Sequence, residues 1–293
     1  MPLQIPSFSQ ICYNESMKIT KDFFKGRDGI ELYYEAYVPQ KVESTLIIVH
    51  GLSEYIASYE AFRIFLTDKN IAVYGFDARG HGNSPGIRAH VNRWSEYTED
   101  LHRFVQLVQK EQAGKLMMFA HSMGTTIATN YLNEYHDGLD ALILCGTTIK
   151  PVEATKWYLI PMAKLLSWVA PRVSINLKLN VDAVCSDPNV TARSKADDLR
   201  FSTVTPRWGT EILKAIEETK NNLHIYTMPL LMIHGKLDRI NDYAAAKAFF
   251  DSIPSNEKTF IAYERSFHEV LNDVEKEKAF EDIYTFILQK NKQ

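Results

Sequence analysis

The chain has 293 residues, of which 45% are hydrophobic and 24% charged, with a formal net charge of −3. That size and apolar content suit one large core with room for an insertion, so a single globular unit is expected. The slight acidic balance, without a basic stripe interleaved with aromatics, excludes the usual nucleic-acid binders, and no run reaches the roughly 18 apolar residues of a membrane span. The three cysteines, Cys12, Cys145 and Cys185, are odd in number and far apart. They argue against a disulfide framework and for a reducing compartment, with Cys145 a core residue. Residues 1–6 carry no basic region followed by a long apolar stretch, so no signal peptide is expected. A cytoplasmic location follows, with export by a signal-less route still open.

The predicted elements begin with two strands, residues 22–25 and 31–37, joined by a turn at Gly26-Arg27-Asp28-Gly29 as an antiparallel hairpin. Apolar, β-branched strands follow at 44–49, 71–76, 116–119, 140–145, 228–235 and 258–263. Helical patterns fall between them at 55–67, 94–110, 125–132 and 243–252, and a last helix covers about 276–289. Such alternation predicts an α/β fold, with a mostly parallel central sheet and helices on both faces.

Residues 146–228 break the alternation. Prolines at 151, 161, 171, 188 and 206 punctuate a stretch without a convincing strand, which reads as a helical cap over the active site. The expected organisation is a core of residues 1–147, a cap of residues 148–226 and a second core segment of residues 227–293. Within the cap, residues 157–171 are almost wholly apolar, carry Trp157 and Trp168, and are too short to cross a bilayer. Lys150, Lys156, Lys164, Arg172 and Lys178 surround them against the single acid Glu153. Apolar bulk with tryptophans and basic neighbours suits an interfacial helix. Packing on the core and lining a pocket suits it equally, and either way the substrate has a hydrophobic part.

Ala120-His121-Ser122-Met123-Gly124 joins a predicted strand to a predicted helix. Such a sharp turn strains the serine, admits only small residues two positions either side, and lifts the hydroxyl clear of the sheet. The helix N-terminus beneath it is suited to stabilise an oxyanion, with the Met123 N–H as one donor. A serine hydroxyl is a poor nucleophile without a base and a carboxylate that orients it. In chain order the acid comes next: Asp238, in the loop after strand 228–235, with Asp242 the competing residue. His268 is the base, because it alone of nine histidines lies after both Ser122 and Asp238. A second oxyanion donor, the Leu52 N–H, follows strand 44–49 in His50-Gly51-Leu52-Ser53-Glu54. His50 and His81 lack a third ligand at zinc spacing, so no metal is expected.

Five motifs in fixed order carry a resemblance: His50-Gly51-Leu52-Ser53-Glu54, Asp77-Ala78-Arg79-Gly80-His81-Gly82-Asn83-Ser84, the Ser122 pentapeptide, Gly235-Lys236-Leu237-Asp238-Arg239 and Phe267-His268. From about residue 20 to the C-terminus the chain resembles the monoacylglycerol lipase and lysophospholipase branch of the α/β-hydrolases, also grouped with serine aminopeptidases. The resemblance implies a Ser122-Asp238-His268 triad, Leu52 and Met123 as oxyanion donors, a lipid-like ester substrate and no cofactor. Two departures stand out. Ala120 replaces the usual first glycine, and Glu264-Arg265 stands where many members have Glu-Gly. An acyl chain is expected in an apolar tunnel under the cap. A short-chain carboxylesterase, an amidase or aminopeptidase on the same triad, and a non-catalytic ligand-binding protein on this fold are the alternatives.

Overall fold

Strand β1 (Met17–Lys25) turns at residues 26–29 and returns as β2 (Glu31–Pro39), pairing Phe24 with Leu32 and Lys25 with Glu31. The computed structural model describes residues 17–112, 114–135, 138–152, 159–176 and 181–292. After the hairpin come β3 (Ser44–Val49), α1 (Glu60–Thr67), β4 (Ile71–Phe76), α2 (Ser95–Glu111), β5 (Leu116–His121), α3 (Met123–Glu134) and β6 (Ala141–Cys145). Next lie α4 (Leu159–Val169), β7 (Ile175–Asn176), α5 (Pro188–Lys195), β8 (Thr203–Val204) and α6 (Pro206–Asn221). The chain ends with β9 (Leu230–Gly235), α7 (Tyr243–Ser252), β10 (Lys258–Tyr263) and α8 (Lys276–Asn291). The eight-stranded sheet has the order β1-β2-β4-β3-β5-β6-β9-β10. β2 runs antiparallel to β1 and β4, and every later pairing is parallel. This is the mostly parallel α/β sheet expected from the alternation.

Side-chain alternation along the central strands builds two core layers. Ile47, Val49, Met118 and Ala120 pack with Phe104 and Val105 of α2 and Ile127 and Tyr131 of α3. Leu46, Ile48, Met117 and Phe119 face Phe62 and Leu66 of α1 and Phe280, Ile283 and Ile287 of α8. Each large side chain so buried contributes about 2 kcal/mol of transfer free energy. Because both faces are covered, β3, β4, β5, β6 and β9 are buried at every residue and read as continuous apolar runs rather than alternating ones.

Between β6 and β9 the chain leaves the sheet. Here the expectation of no strand is corrected: β7 and β8 form a small antiparallel ladder, Ile175 opposite Val204 and Asn176 opposite Thr203. Two residues per strand are too few to leave a periodic signal in sequence. Pro188 and Pro206 open α5 and α6 rather than breaking helices, since the first helical position needs no N–H partner. Asp187 and Thr205 cap those helices, their side chains accepting from Asn189 N and Trp208 N. Helix α4 packs on α6, with Ser167 Oγ 2.9 Å from Thr210 Oγ1. Its Met162, Leu165, Trp168 and Val169 are all more than half exposed. Trp157 lies outside the described residues.

Candidate active site

Ser122 sits between β5 and α3 at φ 50°, ψ −121°, a left-handed conformation costly for any residue but glycine. Its N–H donates to Cys145 O at 3.0 Å, and its carbonyl accepts from Thr125 N and Thr125 Oγ1 at 2.9 and 2.6 Å. Two residues on, a Cβ at Gly124 would lie 2.3 Å from Val49 O. Glycine there lets α3 start against β3. Ala120, fully buried and paired with Val49, accommodates its methyl inside the core.

The loop after β9 carries Asp238, its side chain fully buried. Oδ1 accepts from Ile240 N at 2.7 Å and Asn241 N at 2.9 Å, while Oδ2 lies 2.7 Å from His268 Nδ1 and 3.1 Å from His234 Nε2. Burial pushes this carboxyl up, but His268 and His234 together outweigh it and hold the group well below the usual carboxylate range. Asp242, the competing acid, instead caps α7 through Ala245 N at 2.8 Å and pairs with Lys150 at 3.3 Å. The histidine loop passes very near β9: a Cβ at Gly235 would meet Phe267 O at 2.0 Å. With the Nδ1 proton directed at Asp238, the Nε2 of His268 keeps its lone pair. At the second sequence departure, Glu264 pairs with Lys236 at 2.6 Å on the surface, and Arg265 N donates to Glu275 at 2.8 Å.

Ser122 and His268 line one cavity of about 380 Å³, together with Gly51, Leu52 and Ser53. The Gly51 N–H is taken by Glu54 Oε2 at 2.6 Å, which leaves the next amide, that of Leu52, as the candidate donor of this loop. Met123 opens α3, where N–H groups lack intrahelical partners.

Glu54, His121, Arg200 and Glu269 carry no role in the sequence reading, yet all four line the cavity. His121 Nδ1 lies 2.9 Å from Glu54 Oε2, and its Nε2 lies 3.2 Å from His268 O. Burial works against a charged ring, but the Glu54 carboxylate lifts His121 to about 9. Glu54, whose carboxylate burial alone would raise, is held well below its ordinary value by His121. Arg200 Nη1 donates to Glu269 Oε1 at 2.8 Å, and Glu269 N donates to Val184 O at 2.8 Å. Tyr55 Oη donates to Asp197 Oδ2 at 2.5 Å, and Phe201 N donates to Ser53 Oγ at 2.6 Å. These bonds tie residues 184–201 to the loops after β3 and β10 around the cavity. The hint in sequence was a carboxylate four residues after His50 and a histidine beside the serine.

The lining of the cavity is mixed where an apolar tunnel was expected. Leu52, Val181, Val184, Phe201 and Ile240 supply apolar wall, but Glu54, Asp197, Glu269, Lys195 and Arg200 share it. None of the described α4 residues lines it.

A family model described as "Serine aminopeptidase, S33" matches residues 40–275. The chain belongs to this α/β-hydrolase family. Among relatives, a monoacylglycerol lipase of Mycolicibacterium smegmatis is 27% identical over 90% of this chain and 95% of its own. A monoglyceride lipase of Rattus norvegicus is 28% identical over 82% of this chain and 80% of its own. The crystal structure of Paleococcus ferrophilus monoacylglycerol lipase superposes with a TM-score of 0.81 at 22% identity, covering 89% of this chain and 100% of that one, a likeness of fold. The resemblance carried by the five motifs is borne out.

Proposed function

We propose that the protein is a serine hydrolase of carboxylic esters with a lipid-like acyl group, of the monoacylglycerol lipase or lysophospholipase type. The observation that carries this reading is the 2.7 Å contact of His268 with buried Asp238, at a cavity that also holds a strained serine. His268 Nε2 takes the Ser122 proton as Oγ attacks the ester carbonyl, and Asp238 stabilises the imidazolium. The Leu52 and Met123 N–H groups receive the oxyanion, a role worth roughly 10²–10³-fold in rate per donor. His268 then protonates the departing alcohol, and water releases the acyl group by the same route. The relatives named as monoacylglycerol and monoglyceride lipases support the substrate class.

An aminopeptidase would need a carboxylate free to anchor the substrate amine. Among the described residues the three cavity carboxylates are already engaged: Glu54 by His121, Asp197 by Tyr55 and Glu269 by Arg200. That favours esters without a cationic group. Residues 148–226 act as the cap in this reading, and the exposed apolar side of α4 as a peripheral membrane contact, to which Trp168 belongs.

A fluorophosphonate probe tests the chemistry. It should label wild-type protein at Ser122 and fail on Ser122→Ala and His268→Ala; labelling that survives His268→Ala would sink the reading. A hydrolysis panel of monoacylglycerols, lysophospholipids, short p-nitrophenyl esters and aminoacyl amides then places the substrate, and preference for the amides would overturn the ester assignment.

A further inference from the structure

Behind the triad, one buried histidine touches two loops that the reaction must hold in register. His121 Nδ1 faces Glu54 Oε2 at 2.9 Å and Nε2 faces His268 O at 3.2 Å. Both partners are acceptors. A neutral imidazole has one N–H and satisfies only one of them, whereas an imidazolium donates to both. Glu54 Oε2 also accepts from Gly51 N and Tyr59 Oη, each at 2.6 Å, so the carboxylate is anchored to the loop that presents the Leu52 amide.

We propose that His121 is an imidazolium at neutral pH which, paired with Glu54, acts as a positioning residue, fixing the Leu52 oxyanion loop against the backbone of the catalytic His268. The inference rests on Ser122 and His268 being nucleophile and base. The groups facing His121 agree with it. From the β3 side come Glu54, Tyr59 and His50; from the end of β6, Cys145; from the histidine loop, His268 and Glu269; from residues 181–202, Arg200. Glu269 is paired with Arg200, so the His121 charge is matched by Glu54. On the side away from the active-site cavity, the void between Glu54, Tyr59, His121, Cys145 and Glu269 is about 10 Å³ and holds at most one water, so there the Glu54 and His121 charges solvate one another. The His121 ring lies against that of His268, centroids 4.8 Å apart, and neither of its nitrogens is assigned a proton transfer in the reaction, so its loss shifts the position of the base rather than removing a proton carrier. A misplacement of about 1 Å costs roughly 10²-fold in rate.

Long-range 1H–15N NMR of histidine-labelled wild-type protein reads the charge directly. Both His121 ring nitrogens should carry protons near neutral pH and titrate together only around 9; a neutral His121 at neutral pH overturns the inference, whatever the variants do. In folded Glu54→Gln, kcat should fall roughly 10²-fold with KM nearly unchanged and His121 should become neutral, while Glu54→Asp restores part of both. Wild-type kcat in Glu54→Gln, or a change confined to KM, would equally overturn it. Fluorophosphonate labelling of the wild type keeps the two readings apart: no adduct at Ser122 defeats the serine-hydrolase reading, independently of the His121 signal.

Discussion

Asp238 Oδ2 lies 2.7 Å from His268 Nδ1, and the carboxylate has no exposed surface. The other oxygen is filled by the N–H groups of Ile240 and Asn241, so the carboxylate cannot rotate without breaking two backbone bonds. Asp238→Asn keeps the shape but turns a pure acceptor into a group that also donates, which favours the wrong tautomer of His268. The expected result is a kcat lower by roughly 10⁴-fold with KM little changed, measured by steady-state ester hydrolysis. Asp242→Asn, at the residue that caps α7 instead, should retain most activity. A loss in Asp242→Asn as large as that in Asp238→Asn would count against Asp238 as the carboxylate that orients His268. Because the folded Asp238 carboxyl sits far below its unfolded value, its stabilisation is present at neutral pH and fades only as pH falls below about 4.

Arg200 reaches from the segment between α5 and β8 to Glu269, the residue after the catalytic histidine, and both are largely buried. Removing the guanidinium strands a buried carboxylate, which costs about 3–5 kcal/mol. Arg200→Ala should therefore lower Tm by several degrees and speed limited proteolysis between residues 181 and 202. Glu269→Gln added to Arg200→Ala should recover part of the loss, because the stranded charge is then gone; a strictly additive double-mutant cycle would show that the pair is not coupled.

What sequence could show divides along the physics of each signal. The strands before Ser122 and Asp238 were legible because both sheet faces are buried there, which writes each as an unbroken apolar run such as Leu230-Leu231-Met232-Ile233. Chain order then selected His268 from nine histidines. Glu54 and His121 were visible as letters in their motifs, yet their contact joins residues 67 apart, and no local pattern encodes that distance. The Arg200–Glu269 bridge was hidden for the same reason. The sequence left open whether the apolar run between β6 and β9 lines the cavity or faces outward; among its described residues Met162, Leu165, Trp168 and Val169 are exposed and none lines the cavity.

That outward run carries the last prediction. Met162, Leu165, Trp168 and Val169 are 52, 59, 79 and 56% exposed, and Val173 beyond the helix is 53% exposed. A monomer in water rarely leaves such a contiguous apolar strip uncovered unless something binds there. Exposed Lys164 and Arg172 beside the strip would meet lipid phosphates, and Trp168 suits the headgroup boundary, where one end of an indole is apolar and the other wet. No described helix is long and apolar enough to cross a membrane, so the contact would be interfacial. Wild-type protein should co-sediment with liposomes, more strongly when these contain anionic lipid, and Leu165→Ser/Trp168→Ser should release it. Hydrolysis of a short, water-soluble p-nitrophenyl ester should stay within about twofold of wild type in that variant, since neither Leu165 nor Trp168 lines the cavity that holds Ser122 and His268, whereas hydrolysis of monoacylglycerol presented in vesicles should fall. Binding that persists in the double variant would remove α4 as the membrane contact.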